Sequence, residues 1–322
     1  MGIRLDGMKL AYTSTAFSKA LERRSPIVLD GGLATQLETQ GHDLGSALWS
    51  AALLRSNPQA IALAHRAFLE AGAECIISAS YQASRSGFMS LGLSATAADR
   101  LIASAVEIAI AARDAFLLEH PDTESAPLVA ASIGPYGAVL HDGSEYRGDY
   151  GIDREALHAF HEPRLRLLDG CGADVLACET IPDRIEADVL AELLETTNTP
   201  AWISFSCRDE RSISDGTPIA DAAARFRDHD TVLAVGINCT APQFVTPLIR
   251  EIRRALPGKA VVVYPNSGER YQARDNSWHG TVTPVDCAAA ATEWRAAGAM
   301  LIGGCCRMGP DHIAAMKEAL RT

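Results

Sequence analysis

The chain has 322 residues, 21% of them charged and 48% hydrophobic, and 29 Lys and Arg against 40 Asp and Glu give a net charge of −11. That composition excludes a disordered or fibrous protein. The acidic balance excludes a general nucleic-acid binder, which needs a basic face for phosphates, but leaves room for a cationic substrate.

The longest stretch without Asp, Glu, Lys, Arg or His, Thr231 to Ile249, contains Asn238, Pro242, Gln243 and Pro247 and does not read as a membrane span. The first residues carry Arg4, Asp6 and Lys9 with no apolar block, so no secretory signal is expected and a cytoplasmic location is the default. In that setting the eight cysteines (75, 171, 178, 207, 239, 287, 305 and 306) are not expected to form four disulfides.

Residues 1–25 read as an N-terminal extension or helix. From 26 to 322, short β-rich runs alternate with helical periods. The first run is Ile27–Asp30. A helix over Asn57–Ala71 leads to the run Cys75–Ser80, one over Thr96–Glu119 to Leu128–Ile133, and the helix Asp153–Asp169 to Val175–Thr180. After the helix Asp183–Glu195 come the runs Ala201–Cys207 and Val232–Asn238. The helix Pro242–Ala255, the run Ala260–Pro265, the helix Pro284–Ala297, the run Met300–Gly303 and the helix Pro310–Leu320 complete the series. Helix starts are marked by Asn57-Pro58, Thr283-Pro284 and Gly309-Pro310, and three helix ends by Gly72, Gly172 and Gly298.

Eight such units predict an α/β fold, a single (β/α)8 TIM barrel spanning 26–322. An open doubly wound sheet is the runner-up, weakened by the lack of a G-x-G-x-x-G loop after any strand. One connection stands out: GPYGAVLHDGSEYRGDYG, residues 134–151, shows neither period. It follows the third strand and is expected over the C-terminal face, where barrel enzymes keep their active sites.

The strongest chemical signal is Gly303-Gly304-Cys305-Cys306 together with Gly236-Ile237-Asn238-Cys239. Both lie at C-terminal ends of alternate strands, which serve one layer of a barrel. Adjacent residues on a regular strand point apart, so Cys305 and Cys306 share a target only if the diglycine breaks the strand. Three sulfurs fill three corners of a zinc tetrahedron and leave one open, the pattern of a catalytic Zn²⁺ site. The bland alternatives are inert buried thiols or a strained vicinal disulfide. Cys75, Cys171, Cys207 and Cys287 read as core or helix-face residues. Cys178 should point outward if Glu179 points inward. None of the nine histidines has metal-ligand spacing. Trp49 and Phe88 read as core sooner than as pocket residues.

These motifs, with Leu29-Asp30-Gly31-Gly32-Leu33-Ala34-Thr35, Ser78-Ala79-Ser80-Tyr81-Gln82, Cys178-Glu179-Thr180, Tyr264-Pro265-Asn266-Ser267-Gly268 and Arg307, resemble the homocysteine S-methyltransferase family from about Pro26 to Arg321. The long loop looks like the branch that uses S-methylmethionine or S-adenosylmethionine. The resemblance implies a homocysteine-binding barrel. Its Zn²⁺, on Cys239, Cys305 and Cys306, deprotonates the acceptor thiol, which then takes a methyl group from a sulfonium donor. The expected partners are small molecules, with no nucleic acid and no membrane.

The resemblance also gives Tyr81 as a labile fourth ligand, against a plain packed tyrosine. It gives Glu179, Asp30 and Gly31 as anchors of the amino acid, against a capping carboxylate and a tight turn. Asn266 either orients a substrate or shapes its own turn. In the loop, Tyr136, Tyr146 and Tyr150, with Asp142, Glu145 and Asp149, suit a sulfonium; the alternative is a solvated lid. Rival functions are the same chemistry on selenohomocysteine or selenocysteine, a non-catalytic zinc-binding barrel, and a cysteine-nucleophile hydrolase.

Overall fold

The computed structural model describes residues 15–23, 25–44, 49–140, 142–268, 270–272, 277–279 and 283–321. The barrel strands are β1 (Ile27–Val28), β2 (Cys75–Ile77), β3 (Leu128–Ile133), β4 (Val175–Ile181), β5 (Ala201–Phe205), β6 (Val232–Asn238), β7 (Ala260–Tyr264) and β8 (Leu301–Ile302). Each pairs in parallel with its neighbour in chain order, and β8 pairs with β1. A parallel bridge between Leu29 and Cys75 joins β1 to β2 and closes the ring. Between β7 and β8 the segments Arg270–Gln272 and Ser277–His279 form a short antiparallel ribbon.

The helices in chain order are α1 (Ala16–Leu21), α2 (Leu33–Thr39), α3 (Leu53–Ser56), α4 (Pro58–Glu70), α5 (Arg85–Ser90), α6 (Ala95–Glu119), α7 (Arg154–Asp169), α8 (Arg184–Leu194), α9 (Ile219–Ala224), α10 (Pro242–Ala255), α11 (Pro284–Ala297) and α12 (Pro310–Leu320). Asn57 caps α4 by accepting from the Ala60 N–H, and Thr283 and Asp286 form a capping box on α11. Gly72, Gly172 and Gly298 all take left-handed φ, as the helix-end reading expects.

Strand alternation builds two cores. Ile27, Leu29, Cys75, Ala130, Ala177, Trp202, Ala234, Val262 and Leu301 fill the barrel. Their neighbours Val28, Ile76, Ala131, Cys178, Ile203, Val235, Val263 and Ile302 pack outward under the helices. Cys178 therefore points away from the barrel centre. α1 contributes Phe17 to the inner core, its ring 6.0 Å from that of Trp202.

Several strands stop earlier than the sequence predicts, at Val28, Ile77 and Ile302. The residues just beyond them build the C-terminal face; Asp30, Ser78 and Gly303 give the last backbone N–H to the neighbouring strand before the chain turns away. The 134–151 connection is also more ordered than its sequence suggests. It contains 3₁₀ turns at Tyr136–Val139 and Ser144–Tyr146.

Candidate active site at the C-terminal face

A cavity of about 150 Å³ opens among the strand ends, lined by the diglycine Gly31-Gly32, Tyr81, Glu145, Tyr146, Glu179, Thr180 and all three clustered cysteines. Cys239 follows β6 with φ +45°, a left-handed turn held by its N–H on the Tyr264 carbonyl at 3.1 Å. Gly236 lets β6 lie against β7: a Cβ there would overlap the Val262 carbonyl.

After β8 the chain does leave the strand. Gly304 N–H donates to Asp30 O at 3.0 Å, Cys305 N–H to Pro265 O at 2.8 Å, and Ser267 N–H to Cys306 O at 3.1 Å. This tight fold turns both thiols toward Cys239. The three Sγ atoms lie within 4.8 Å of one another.

Cys239 and Cys305 are paired as a disulfide, with Cα atoms 5.6 Å apart. The pairing follows from the convergence itself, since sulfurs close enough to share one ion are within reach of each other, and the same three cysteines are the ones that could hold a metal ion. Cys306 keeps a free thiol, its Sγ 3.5 Å from that of Cys239. Burial pushes the Cys306 thiol up to about 11.

Two buried carboxylates lie at this face: Glu179 in the cavity floor, and Asp30 next to the lining residue Gly31. Asp30 is buried. Its Oδ2 accepts from the Ile77 N–H at 2.8 Å, while Oδ1 is buried without a partner. Burial raises this carboxyl well above its usual range, and Glu179 adds to the shift. Glu179, also buried, accepts from the Ser132 hydroxyl and meets the Tyr264 phenol; burial pushes it up to about 7.

Beneath them runs a buried polar chain. Trp202 Nε1 donates to the Tyr264 oxygen at 3.1 Å, which lies 2.7 Å from Ser204 Oγ, and Ser204 donates to Asn238 Oδ1 at 2.9 Å. Asn238 brackets Thr180 from both sides: it accepts from the Thr180 N–H and donates to Oγ1, each at 2.7 Å. Thr180 sits at φ +62° and Arg307 at φ +67°, so with Cys239 three left-handed non-glycine residues line one cavity. Such backbone strain gathers at functional sites.

The loop forms the roof. Tyr146 is 43% exposed, yet its hydroxyl reaches to 3.7 Å from Cys239 Sγ. Tyr81 also lines the cavity, with its phenol raised by burial and by Glu145. Tyr136 and Tyr150 face elsewhere. The Tyr136 N–H and the Tyr150 hydroxyl both donate to the fully buried Glu186, at 2.6 and 2.8 Å. Asn266 uses Oδ1 to accept from Gly268 N–H at 3.0 Å and so shapes its own turn. Phe88 is core, and the side chain of Trp49 lies outside the described residues.

Sequence reasoning gave no role to Tyr264, Asn238, Thr180 or Ser132. The available signal was polarity inside apolar β-runs: Ser132 in LVAASI, Asn238 ending VLAVGIN, Tyr264 ending AVVVY.

A closed parallel barrel with a thiol cluster over buried carboxylates at its C-terminal face has the build of a barrel enzyme. A model of the homocysteine S-methyltransferases matches residues 27–320, and the chain belongs to that family, whose reaction is methyl transfer to homocysteine. Homocysteine S-methyltransferase YbgG of Bacillus subtilis is 48% identical over 92% of this chain and 96% of its own. The Escherichia coli homocysteine S-methyltransferase is 46% identical over 92% and 96%. The crystal structure of the E. coli homocysteine methyltransferase MmuM in its metallated form superposes with a TM-score of 0.84 at 43% identity, covering 94% of this chain and 99% of that one. Its oxidized form gives the same TM-score at 44% identity, over 94% and 98%.

Proposed function

We propose that this chain transfers a methyl group from a sulfonium donor, S-methylmethionine or S-adenosylmethionine, to the thiolate of L-homocysteine, forming methionine, and that it does so as a zinc enzyme. The observation that carries the reading is the gathering of three cysteine sulfurs within 4.8 Å at the wall of a cavity that the buried Glu179 also lines. The donor set fits the ion: three soft sulfurs, each offering one ligand atom, suit Zn²⁺ and leave a position for a substrate thiol. Cys239, Cys305 and Cys306 would hold it once the Cys239–Cys305 pair is reduced, with Tyr81 as the labile fourth ligand. Bound there, zinc supplies deprotonation of the acceptor thiol at neutral pH.

The chain's own residues do the rest. Glu179 and the unpartnered Asp30 Oδ1 face the α-ammonium of homocysteine. The backbone N–H of Gly31 receives its carboxylate, since that of Gly32 already donates to the Met308 carbonyl at 2.9 Å. Tyr146 and Glu145 cover the cavity from the loop and limit the access of water. The acceleration comes from activating one thiol and aligning it with the donor methyl. A cytoplasmic setting would keep the cysteines reduced.

The test is metal analysis of the reduced protein, followed by methionine formation from homocysteine with each donor. About one zinc per chain is expected. Cys306→Ser should lose both zinc and turnover while keeping the circular-dichroism spectrum. Full turnover by metal-free wild type would overturn the zinc reading, and no turnover with either sulfonium would overturn the donor reading.

A further inference from the structure

Of the three acidic residues in the roof loop, only Glu145 lines the cavity; Asp142 and Asp149 are exposed. Its backbone is fixed on two sides. Ser206 Oγ, just past β5, donates to the Glu145 carbonyl at 3.1 Å, and Gly137 packs so closely that a Cβ there would stand 2.5 Å from the Glu145 N. Its Oε2 is buried with no hydrogen-bond partner. A buried carboxylate oxygen without a donor is costly unless a cation meets it. Glu179 lines the cavity from β4, whereas Glu145 lines it from the roof loop with Tyr81 and Tyr146 nearby. Two substrates bring three positive groups: the ammonium of homocysteine, assigned above to Glu179, and the donor's own ammonium and its sulfonium, which the methionine arm of the test below tells apart.

We infer that Glu145 is a specificity-determining residue for the methyl donor, its carboxylate pairing with the sulfonium centre. This rests on the sulfonium-donor reading above. In the transfer, the S–CH₃ bond of the donor breaks and its electron pair stays on the donor sulfur, which becomes a neutral thioether. A lone pair of the homocysteine thiolate forms the new S–CH₃ bond. Positive charge at the donor is therefore being lost as the transition state forms. A carboxylate opposite that charge favours the bound donor over the transition state, so it contributes affinity and selection, not rate.

The prediction has a kinetic signature. In the reduced, zinc-loaded enzyme, Glu145→Gln should raise the donor KM about tenfold or more, leave the homocysteine KM within about twofold, and not lower kcat. Methionine carries the same ammonium and carboxylate as S-methylmethionine but no sulfonium. Its inhibition constant against the donor should be unchanged in the variant. Glu145→Asp, which withdraws the carboxylate by one methylene, should fall between and provides a second variant if Gln impairs folding. The inference is overturned if the donor KM does not move, if the homocysteine KM rises instead, if kcat falls at constant KM, or if methionine inhibition weakens in step with the donor. A wild-type enzyme with no sulfonium turnover at all would sink the donor reading first, in an arm that does not involve Glu145.

Discussion

Glu179 is held in the cavity floor against its own charge. Its carboxyl ordinarily titrates near 4.5 and here near 7, because burial opposes the charged form more than Ser132 and Tyr264 support it. Between those two pH values the folded protein keeps a proton that the unfolded chain has released. Stability therefore falls as pH rises from about 4.5 to about 7, then stays level. Glu179→Gln removes that slope. It should be roughly 3 kcal/mol more stable than wild type at pH 8 and nearly equal near pH 4, as read by urea unfolding at the two pH values; equal stability at pH 8 would contradict it. Thr180, next in the chain, depends on Asn238 to hold its left-handed backbone. Asn238→Ala leaves the Thr180 N–H without its acceptor and should cost about 2 kcal/mol, with a matching loss of homocysteine affinity. Both residues were visible in the sequence as polar ends of apolar runs. Their pairing across strands β4 and β6 was not, because it depends on a closed ring that no local pattern encodes.

The roof loop owes its position to α8. Glu186 is fully buried and accepts from the Tyr136 N–H, the Tyr150 hydroxyl and His161 Nε2, the last at 2.7 Å. Burial lowers the His161 imidazole, and the nearby Arg164 adds to this. The neutral ring can then donate through Nε2 and accept Arg164 at Nδ1, 3.3 Å away. Arg164 in turn donates to the Gly134 carbonyl, where the loop begins. Glu186→Ala strands these donors in the core and should cost about 3–5 kcal/mol. Glu186→Gln, which keeps an acceptor, should cost less; thermal melts of both would rank them, and equal melting temperatures would refute the anchor. Hydropathy gives no hint of this role. In Arg184-Ile185-Glu186-Ala187 the isoleucine is 56% exposed and the glutamate is buried, the reverse of an amphipathic reading. The loop's place over the active face was legible from its length and lack of period. Which tyrosine enters the cavity was not, because Tyr136 and Tyr150 are drawn outward by a helix distant in sequence.

The alternation of eight β-runs with helices made the barrel readable, since parallel strands buried on both faces leave near-continuous apolar segments. The helices that escaped, α2, α3, α5 and α9, each span seven residues or fewer, too short for the 3.6 period to declare itself. The N-terminal extension carried no sequence signal for packing, yet α1 seals the barrel at the end opposite the thiols. Phe17 is fully buried there, against Trp202, and Ala20 beside it is nearly so. Trp202 also donates to Tyr264, so floor and face share one interior column. In barrels of this kind, stability concentrates at the N-terminal end and chemistry at the other. Phe17→Ala opens a cavity in the inner core and should cost about 3–5 kcal/mol, lowering the melting temperature by several degrees. Below that transition, zinc content and both KM values should match wild type, because the polar chain from Ser204 to Thr180 is untouched. A shift in homocysteine KM at unchanged zinc content would mean that the Trp202–Tyr264 contact carries strain from floor to face, and that the two ends of the barrel are not independent.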